Sequence, residues 1–504
     1  MYGAYSNNLQ QQQESGIYVG GKELLFLGIL IVIGLTLYIS LINLTSAPLV
    51  LLTIPLVLYD RAFMYPMFMT ISLSQGAFTD TATSGVGTAD ASYAESLTIA
   101  TIAPILAWDL LSQKSKMVPF RFSIIYLFFL GFVFLGIFVY YQHPQNFAGL
   151  PIGTGKNAPA FHSIVKMIKL VFYLFFLRVL INYPKEMLYK IPEYTRRCMP
   201  FIIIPLGLNL LLNGRAQSGA GYSDTLQLGD VHHGTFTSTL CALSVYLFIT
   251  LFSRKPNIGF FTRFFAFGTI VLVGIMIMMM GSRNGLLSFM ILCAVGVYIH
   301  LVRRKIDFQF VIVSVCFIGA IVALLLSLNS PTLQRAIYMT DTEGGGDRTY
   351  YWSAGAQALS TSPIFGMGGD ETASIAAVAR YAPAMVEDRI MHNTYLEAAV
   401  EYGLIAALLY IAFVLFVIKW AYRLYKLALD RQDMALAAPG LSYLIMMIAA
   451  MFVSNLWDTS IWYTVSIIFA LAIRFVYPQW ADKRRINTKL SFEQMASQVR
   501  VGRL

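Results

Sequence analysis

The feature that most constrains this chain is a series of long apolar runs that recurs along most of its 504 residues. Several runs approach the roughly 20 apolar residues that an α-helix needs to span a bilayer. The chain is 57% hydrophobic and 12% charged, whereas soluble proteins are about 25% charged. Because the runs are continuous, they favour helices over the alternating strands of a membrane barrel. The sequence therefore predicts an all-α, polytopic membrane protein that is built as a helix bundle.

The apolar runs divide into fourteen predicted spans. They lie near 23–41, 46–59, 62–75, 97–113, 121–141, 162–182, 199–213, 235–253, 262–280, 284–302, 309–328, 395–419, 438–455 and 459–477. The second and third are short, and are either one long broken helix or a re-entrant pair around Asp60 and Arg61. We therefore expect about 12 to 14 spans.

Lysines and arginines set the predicted orientation, because basic residues concentrate in cytoplasmic loops. With the N-terminus inside, most of the 36 basic residues fall in cytoplasmic segments. The polar N-terminus lacks the features of a signal peptide, so we expect the first apolar run to remain as a span. The predicted organisation is a cytoplasmic tail at 1–22, a transmembrane bundle of eleven spans at 23–328, a large periplasmic loop at 329–394, C-terminal transmembrane helices at 395–477 and a cytoplasmic tail at 478–504.

Composition and motifs exclude several classes of function. The net charge of +10 is assigned to loops that face anionic lipid, because the chain has no basic, aromatic-rich soluble domain for a nucleic acid. The four cysteines show no CxxC spacing, so neither a disulfide framework nor a zinc site is expected. A phosphate-binding Walker loop and a dinucleotide fingerprint are both missing from the sequence, which argues against ATP or NAD as a cofactor.

The loop at 329–394 is predicted to hold structure of its own, because structureless loops beyond about 15 residues are uncommon. Apolar or aromatic residues at 351, 352, 355 and 359 have helical spacing. We therefore expect a short helix over 348–360 that lies at the membrane surface. Glycines at 344–346 and at 366, 368 and 369 permit sharp turns on either side of it.

His392 is the candidate base in this loop. It directly precedes the twelfth predicted span, whose start is marked by Thr394-x-x-Glu397, the pattern of a capping box. Thr394 and Glu397 are then structural, and His392 has no part in that cap. Its imidazole is either a hydrogen-bonded loop group or a base that takes a proton from a sugar hydroxyl.

Two arginines are the candidate phosphate ligands. Arg348 opens the predicted surface helix, where a cation is unfavourable for the helix dipole and needs another reason. That reason is either a phosphate held by the guanidinium fork or an ion pair with Asp347 or Asp341. Arg283 lies in a tight turn between two apolar runs, where it either reaches lipid headgroups or binds a phosphate of the substrate.

A further set of residues is predicted to support this site. Glu401 falls about two turns into the twelfth span, so its carboxylate should face the interior and find a cationic partner. Lys166 and Lys169, one turn apart in the sixth span, either bind a diphosphate or extend to the membrane surface, and the second alternative is favoured. Tyr395 and Arg215 are the other residues that are predicted to support the site. No metal ion is expected there.

These residues carry a resemblance to a known family. The chain resembles the superfamily of O-antigen ligases and O-antigen polymerases, which are bacterial membrane glycosyltransferases that use polyprenyl-diphosphate-linked donors. The resemblance rests on Ser-Arg-Asn-Gly at 282–285, Arg-Thr-Tyr-Tyr-Trp from 348, Pro-Ile-Phe-Gly-Met-Gly at 363–368 and His-Asn-Thr-Tyr-Leu-Glu from 392. It covers roughly residues 265–420.

The resemblance implies a fold, an activity and roles for residues. The fold would be that of lipid-dependent glycosyltransferases, in the bacterial inner membrane, with an active site on the periplasmic face and no metal or other cofactor. By position in the motifs, His392 matches the general base, and Arg283 and Arg348 match the arginines that bind the donor diphosphate. The acceptor would be a saccharide or lipid-linked saccharide, and a chain-length regulator or a flippase is an expected protein partner.

The sequence leaves two choices open. It does not separate a ligase from a polymerase, because Arg335 and Gly346 have a spacing described for polymerases while Arg215 lacks it. A transporter or flippase of lipid-linked saccharides is the alternative from another class. Transporters commonly show paired half-repeats and charges at the midplane, whereas the charges here cluster at the predicted outer face.

Overall fold

The structure is a computed structural model of the chain. It describes residues 55, 57–67, 69, 104–109, 123–143, 159–183, 185–213, 215–216, 226–227, 233–252, 260–280, 282–303, 346–369, 371–382, 391–428, 436–452 and 462–476. The first four and the eleventh predicted spans, and both predicted tails, lie wholly or largely outside these residues.

Nearly all of the described residues are helical, which confirms the predicted class of an all-α membrane bundle. The helices are α1 Ser123–Gln142, α2 Pro159–Asn182, α3 Lys185–Asn213, α4 His233–Phe252, α5 Phe260–Met279, α6 Arg283–Arg303, α7 Gly346–Thr361, α8 Glu371–Tyr381, α9 Thr394–Tyr402, α10 Leu404–Ala428, α11 Ala437–Met451 and α12 Trp462–Val476. A 3-10 helix spans Arg61–Phe63, and two strands, β1 Arg215–Ala216 and β2 Leu226–Gln227, pair antiparallel.

Within the described residues, three helices are long and apolar enough to cross a membrane, or four if a bent pair counts as one span. The three lie in α1, α5 and α10, and the bent pair joins α2 to α3. Four shorter apolar helices lie in α4, α6, α11 and α12. The count of 12 to 14 spans therefore stays a prediction.

The break that was predicted at Asp60 and Arg61 is present. Asp60 has an extended backbone and its carboxylate accepts the Ala62 N–H at 3.0 Å, which caps the 3-10 helix. Arg61 forms two hydrogen bonds to Asp109, at 2.6 and 3.0 Å. The Tyr183 hydroxyl also donates to Asp109, at 2.7 Å. This polar cluster joins residues 57–69 to helical residues 104–109 and to the end of α2.

The prediction of one continuous span over 395–419 is wrong. Gly403 separates α9 from α10, with φ 92° and ψ 165°, a conformation that is open essentially only to glycine. The rings of Tyr395 and Tyr410 lie 6.3 Å apart, whereas fifteen residues of one straight helix would separate them by about 22 Å. Helix α9 therefore folds back on α10, and we call this unit the α9–α10 hairpin.

Small side chains allow the two arms of the hairpin to approach closely. Ala398, Ala399 and Ala407 form a buried cluster between α9 and α10, as small residues do where membrane helices pack. Helix α1 packs against α10, with the rings of Phe129 and Tyr410 5.5 Å apart. At the turn, Gly136 of α1 faces the Tyr402 ring, where a Cβ would lie 2.8 Å from the ring.

Candidate active site

The large loop carries a small core of its own. Helix α7 confirms the helix that was predicted over 348–360, and it packs against α8 and α9. Its position at a membrane surface stays a prediction. The buried side chains of this core are Tyr351, Ala354, Ala358, Met367, Ala373, Ala376, Ala377, Val378, Met391 and Val400. The loop is therefore a packed unit that can hold side chains in defined places.

A glycine-rich segment joins this loop to the hairpin. Residues 366, 368 and 369 are glycines with φ of 70°, 81° and 88°. The N–H groups of Met367 and Gly368 donate to the carbonyls of Val400 and Glu401, at 2.7 and 3.2 Å. The Gly369 N–H donates to the carbonyl of Gly136, at 3.1 Å. A Cβ at residue 368 would lie 2.4 Å from the backbone of α1, so glycine permits this close contact.

His392 is half-buried and has a positive φ of 50°. For a residue with a Cβ this conformation costs about 1–3 kcal/mol and persists where neighbours enforce it. The neighbours on both sides are held: Met391 is fully buried, and its N–H donates to the Ser374 hydroxyl at 3.2 Å. Asn393 is fixed as the cap of α9. The backbone of His392 is therefore constrained from both directions.

The cap of α9 differs from the one that was predicted. The N-cap is Asn393, whose side chain accepts the N–H groups of Tyr395 and Leu396, both at 3.1 Å. Thr394 is the first residue of the helix rather than its cap. Asparagine is as good a cap as threonine, and the pattern Thr-x-x-Glu placed the cap one residue too late. Thr394 and Glu397 are both fully buried.

Arg348 lies on the first turn of α7, one turn before a residue that contacts the segment of His392. One turn later, Trp352 donates its indole N–H to the carbonyl of Met391, at 3.1 Å. Gly355 follows on the same face, where a Cβ would lie 2.5 Å from the sulfur of Met391. Because residues four apart share a helix face, Arg348 and His392 lie on neighbouring segments.

Arg283 is the first residue of α6, and neighbouring helices show which end of the bundle this is. A Cβ on Gly285 would lie 2.6 Å from Thr237, near the start of α4. Thr250, near the end of α4, and Phe475, at the end of α12, both contact the first half of α3: Thr250 lies 3.5 Å from the guanidinium of Arg196, and the Phe475 ring lies 4.7 Å from the ring of Tyr189. Helices α4 and α12 therefore begin at the same end of the bundle. The end of α11 lies there too, because Met451 of α11 and Trp462 of α12 both contact Tyr410.

Tyr395 connects that end of the bundle to α9. Its hydroxyl donates to the carbonyl of Ile448 at 3.4 Å, and its ring lies 4.9 Å from the ring of Phe452, the cap residue of α11. The start of α9, the end of α11 and the start of α6 thus lie at one end of the molecule. The backbones of Arg283 and His392 share this end with α7.

Glu401 has the cationic partner that its burial predicted. Its carboxylate is 2.6 Å from the ammonium of Lys166, with side chains 0% and 14% exposed. The same ammonium lies 5.3 Å from the centre of the Tyr402 ring. The preference for Lys166 extending to the membrane surface is wrong, because its ammonium binds the fully buried carboxylate of Glu401.

For Lys169 and Arg215, the structure gives the position in the secondary structure. Lys169 is half-buried one turn after Lys166 on α2. Arg215 stands in β1, paired in register with Gln227 of β2. The side chains of Arg215 and Arg283 lie outside the part of the chain that the structure describes. Across the described residues, no three His, Cys, Asp or Glu side chains come together as a metal site would require.

Sequence reasoning missed three residues that shape this site. Gly403 lies inside an apolar run, where a glycine signals a break. Asn393 precedes the predicted helix start, where asparagine is a preferred cap. Trp352 was one of the residues whose spacing predicted the surface helix, but nothing in the sequence indicates that its indole N–H donates to Met391. Only the roles of Gly403 and Asn393 could have been predicted from the local sequence.

These features define a class of protein: a multi-pass helical membrane protein whose large loop packs on one end of its bundle, with helix α7 held against the segment that carries a constrained histidine. Residues 268–411 match the family model described as O-antigen ligase, which confirms the predicted resemblance. The match includes Arg283, Arg348 and His392. It supports a glycosyltransferase-like enzyme of the bacterial inner membrane with a role in surface polysaccharide assembly. None of the curated proteins compared with the chain matches it.

Proposed function

We propose that this protein transfers a glycan from a polyprenyl-diphosphate carrier to a sugar hydroxyl, at the periplasmic face of the inner membrane. The observation that carries the proposal is the constrained backbone of His392 beside α7, at the end of the bundle where α6 begins with Arg283. Strained conformations cluster at functional sites. The match of residues 268–411 to the O-antigen ligase family model supports the proposal, because that range includes Arg283, Arg348 and His392.

The proposed reaction needs one base and a cationic cradle. The acceptor hydroxyl attacks the anomeric carbon of the donor sugar and gives its proton to the imidazole of His392. The bond from the anomeric carbon to the diphosphate oxygen breaks, and the polyprenyl diphosphate leaves with the electron pair. Arg348 and Arg283 stabilise the negative charge that grows on that oxygen.

The mechanism predicts stereochemistry as well as rate. A single direct displacement inverts the anomeric carbon, whereas a covalent glycosyl-enzyme would retain it. Because the two arginines supply the positive charge, we expect the reaction to proceed in the presence of a metal chelator. Retention of configuration in the product would contradict the one-step mechanism.

The decisive experiment uses the full-length protein in lipid nanodiscs with a purified lipid-linked glycan. We expect His392→Gln to lower kcat by about 10²–10⁴-fold, the usual contribution of a general base, with folding unchanged. Arg348→Lys keeps the charge but loses the fork that binds two phosphate oxygens, so KM for the donor should rise. Arg380→Gln removes an exposed cation from the end of α8 and serves as the matched control.

The products separate the classes of activity. Elongated glycan together with free lipid diphosphate identifies a polymerase, and transfer to a lipid A-core or another acceptor identifies a ligase. Movement of the donor across the membrane without bond formation would contradict the proposal and identify a flippase. Wild-type activity in the His392→Gln protein would remove the imidazole as the base.

A further inference from the structure

A buried ion pair joins helix α2 to the turn of the α9–α10 hairpin. Lys166 and Glu401 are 235 positions apart in the sequence, and their charged atoms are 2.6 Å apart. Glu401 is fully buried and Lys166 is 14% exposed. A charge inside an apolar bundle is costly unless it is paired, so each side chain requires the other to remain ionised in this place.

Glu401 also forms a backbone hydrogen bond with the large loop. The backbone carbonyl of Glu401 accepts the Gly368 N–H at 3.2 Å, while its carboxylate binds Lys166. Directly beyond it, the Leu404 N–H donates to the carbonyl of Pro363, at 2.8 Å. Residue 401 is therefore the point at which α2, the loop and the hairpin are connected.

The ion pair is too far from His392 to take part in proton transfer. His392 precedes Glu401 by nine residues, and a helix of that length is about 13 Å long. Helix α9 is a single rigid unit between them, capped by Asn393 at one end and ended by Gly403 at the other. A shift of the turn is therefore transmitted along α9 to His392.

We propose that Lys166 is a positioning residue of the active site. Its ion pair with Glu401 fixes one end of α9, and α9 in turn places the imidazole at its other end against the acceptor hydroxyl. This inference rests on the proposed function, because it assigns a role to the geometry of that same site. It requires no contact between Lys166 and the substrate.

The alternative is that Lys166 binds the donor diphosphate directly, as its charge and its place near the loop end of α2 would allow. The ammonium is directed to a fully buried carboxylate and lies over the ring of Tyr402, which favours positioning. The two roles predict different kinetics. A positioning residue changes kcat at constant KM, whereas a diphosphate ligand changes KM for the donor.

The test measures both constants in the full-length protein for Lys166→Met, Glu401→Gln and the double variant. We expect each single change to lower kcat by up to about 10²-fold, the effect of a misplacement of about 1 Å, with KM for the lipid-linked donor unchanged. Because the two groups act as one unit, the double variant should lose no more than either single variant. Lys166→Arg keeps the pair and should retain most of the activity.

Three outcomes would overturn the inference. In the first, KM rises in Lys166→Met but not in Glu401→Gln, which makes Lys166 a diphosphate ligand. In the second, the two losses multiply in the double variant. In the third, the unfolding temperature falls while kcat of the folded protein stays at the wild-type value, which makes the pair purely structural.

A matched control is available at the other end of the bundle. Lys190→Met removes the same charge from an exposed ion pair with Asp60, at 3.3 Å, and should leave both constants unchanged. If the wild-type protein transfers no glycan at all, the proposed function fails. If the wild type is active and the pair variants match it, only the positioning role fails.

Discussion

At the scale of single residues, backbone conformation identifies the positions on which the site depends. His392 and Gly403 both have positive φ, and they bracket the short helix α9. At His392 the strained backbone belongs to a residue whose side chain can act as a base. The fold therefore tolerates the free-energy cost of the positive φ at that position. At Gly403 the conformation belongs to glycine, and it makes the reversal of the chain possible.

Replacement of Gly403 by alanine is predicted to disrupt the hairpin. A Cβ there would lie 1.9 Å from the carbonyl oxygen of Ile364, and the backbone conformation alone costs about 1–3 kcal/mol for a residue other than glycine. We expect a lower unfolding temperature in detergent and a loss of transfer activity. Gly131→Ala, at a position in α1 with nothing within 4 Å of the new methyl group, is the control. An unchanged unfolding temperature in Gly403→Ala would contradict this account of the turn.

At the scale of elements, the site is a meeting of α7, α9 and α11. Each contributes one contact that is independent of the others: Trp352 to Met391, Asn393 to the start of α9, and Tyr395 to Ile448. Helix α9 is only nine residues long, and isolated helices of that length are marginal in water. Its stability therefore comes from its packing against the rest of the fold together with the local cap at Asn393.

The Trp352 contact gives a prediction at this scale. Trp352→Phe keeps the aromatic ring but loses the hydrogen bond to Met391, which is worth about 0.5–1.5 kcal/mol. Because Met391 directly precedes His392, we expect kcat to fall further than the stability loss alone explains. Tyr350→Phe, on the exposed side of α7, should have no effect on either quantity. Equal activity in the Trp352 and Tyr350 variants would show that α7 does not position His392.

At the scale of the whole molecule, ion pairs lie at the turn of the α9–α10 hairpin and around the α2–α3 junction. The candidate active site lies at the end where α9 begins, and the cluster of Asp60, Arg61 and Asp109 lies at the opposite end, beside the α2–α3 junction. Between them the core is apolar and aromatic, as in the contacts of Trp462 with Tyr173 and Phe413. We therefore expect that changes in the cluster around Asp109 alter the stability of the fold without altering the chemistry of the candidate active site.

This separation predicts that Asp109→Asn destabilises the protein without changing its chemistry. Arg61 and Asp109 are 18% and 13% exposed, and loss of one partner from a buried pair costs about 3–5 kcal/mol. We expect a lower unfolding temperature and an unchanged kcat for the folded fraction, since distant sites act independently. Lys190→Met, which breaks an exposed pair of the same cluster, should cost at most about 1 kcal/mol. A loss of kcat in the folded Asp109 variant would mean that the two ends are coupled.

The sequence by itself determined the class of the protein and most of its helices. Apolar runs of bilayer length can form only helices in a membrane, and the helix over 348–360 follows from its spacing. The motifs around Arg283, Arg348 and His392 were sufficient for the family resemblance. These are local properties, because the residues that encode them are close together in the chain.

The tertiary structure alone decided how those motifs meet. The fold-back of α9, the bond from Trp352 to Met391 and the pairing of Lys166 with Glu401 all join segments that have no common pattern in the sequence. Burial selects Lys166 as the partner of Glu401, because the sequence alone does not distinguish a lysine that becomes buried from one that stays at the surface. Pairing between distant residues depends on which charged and polar groups are removed from water at the same place, and this is decided only when the helices pack.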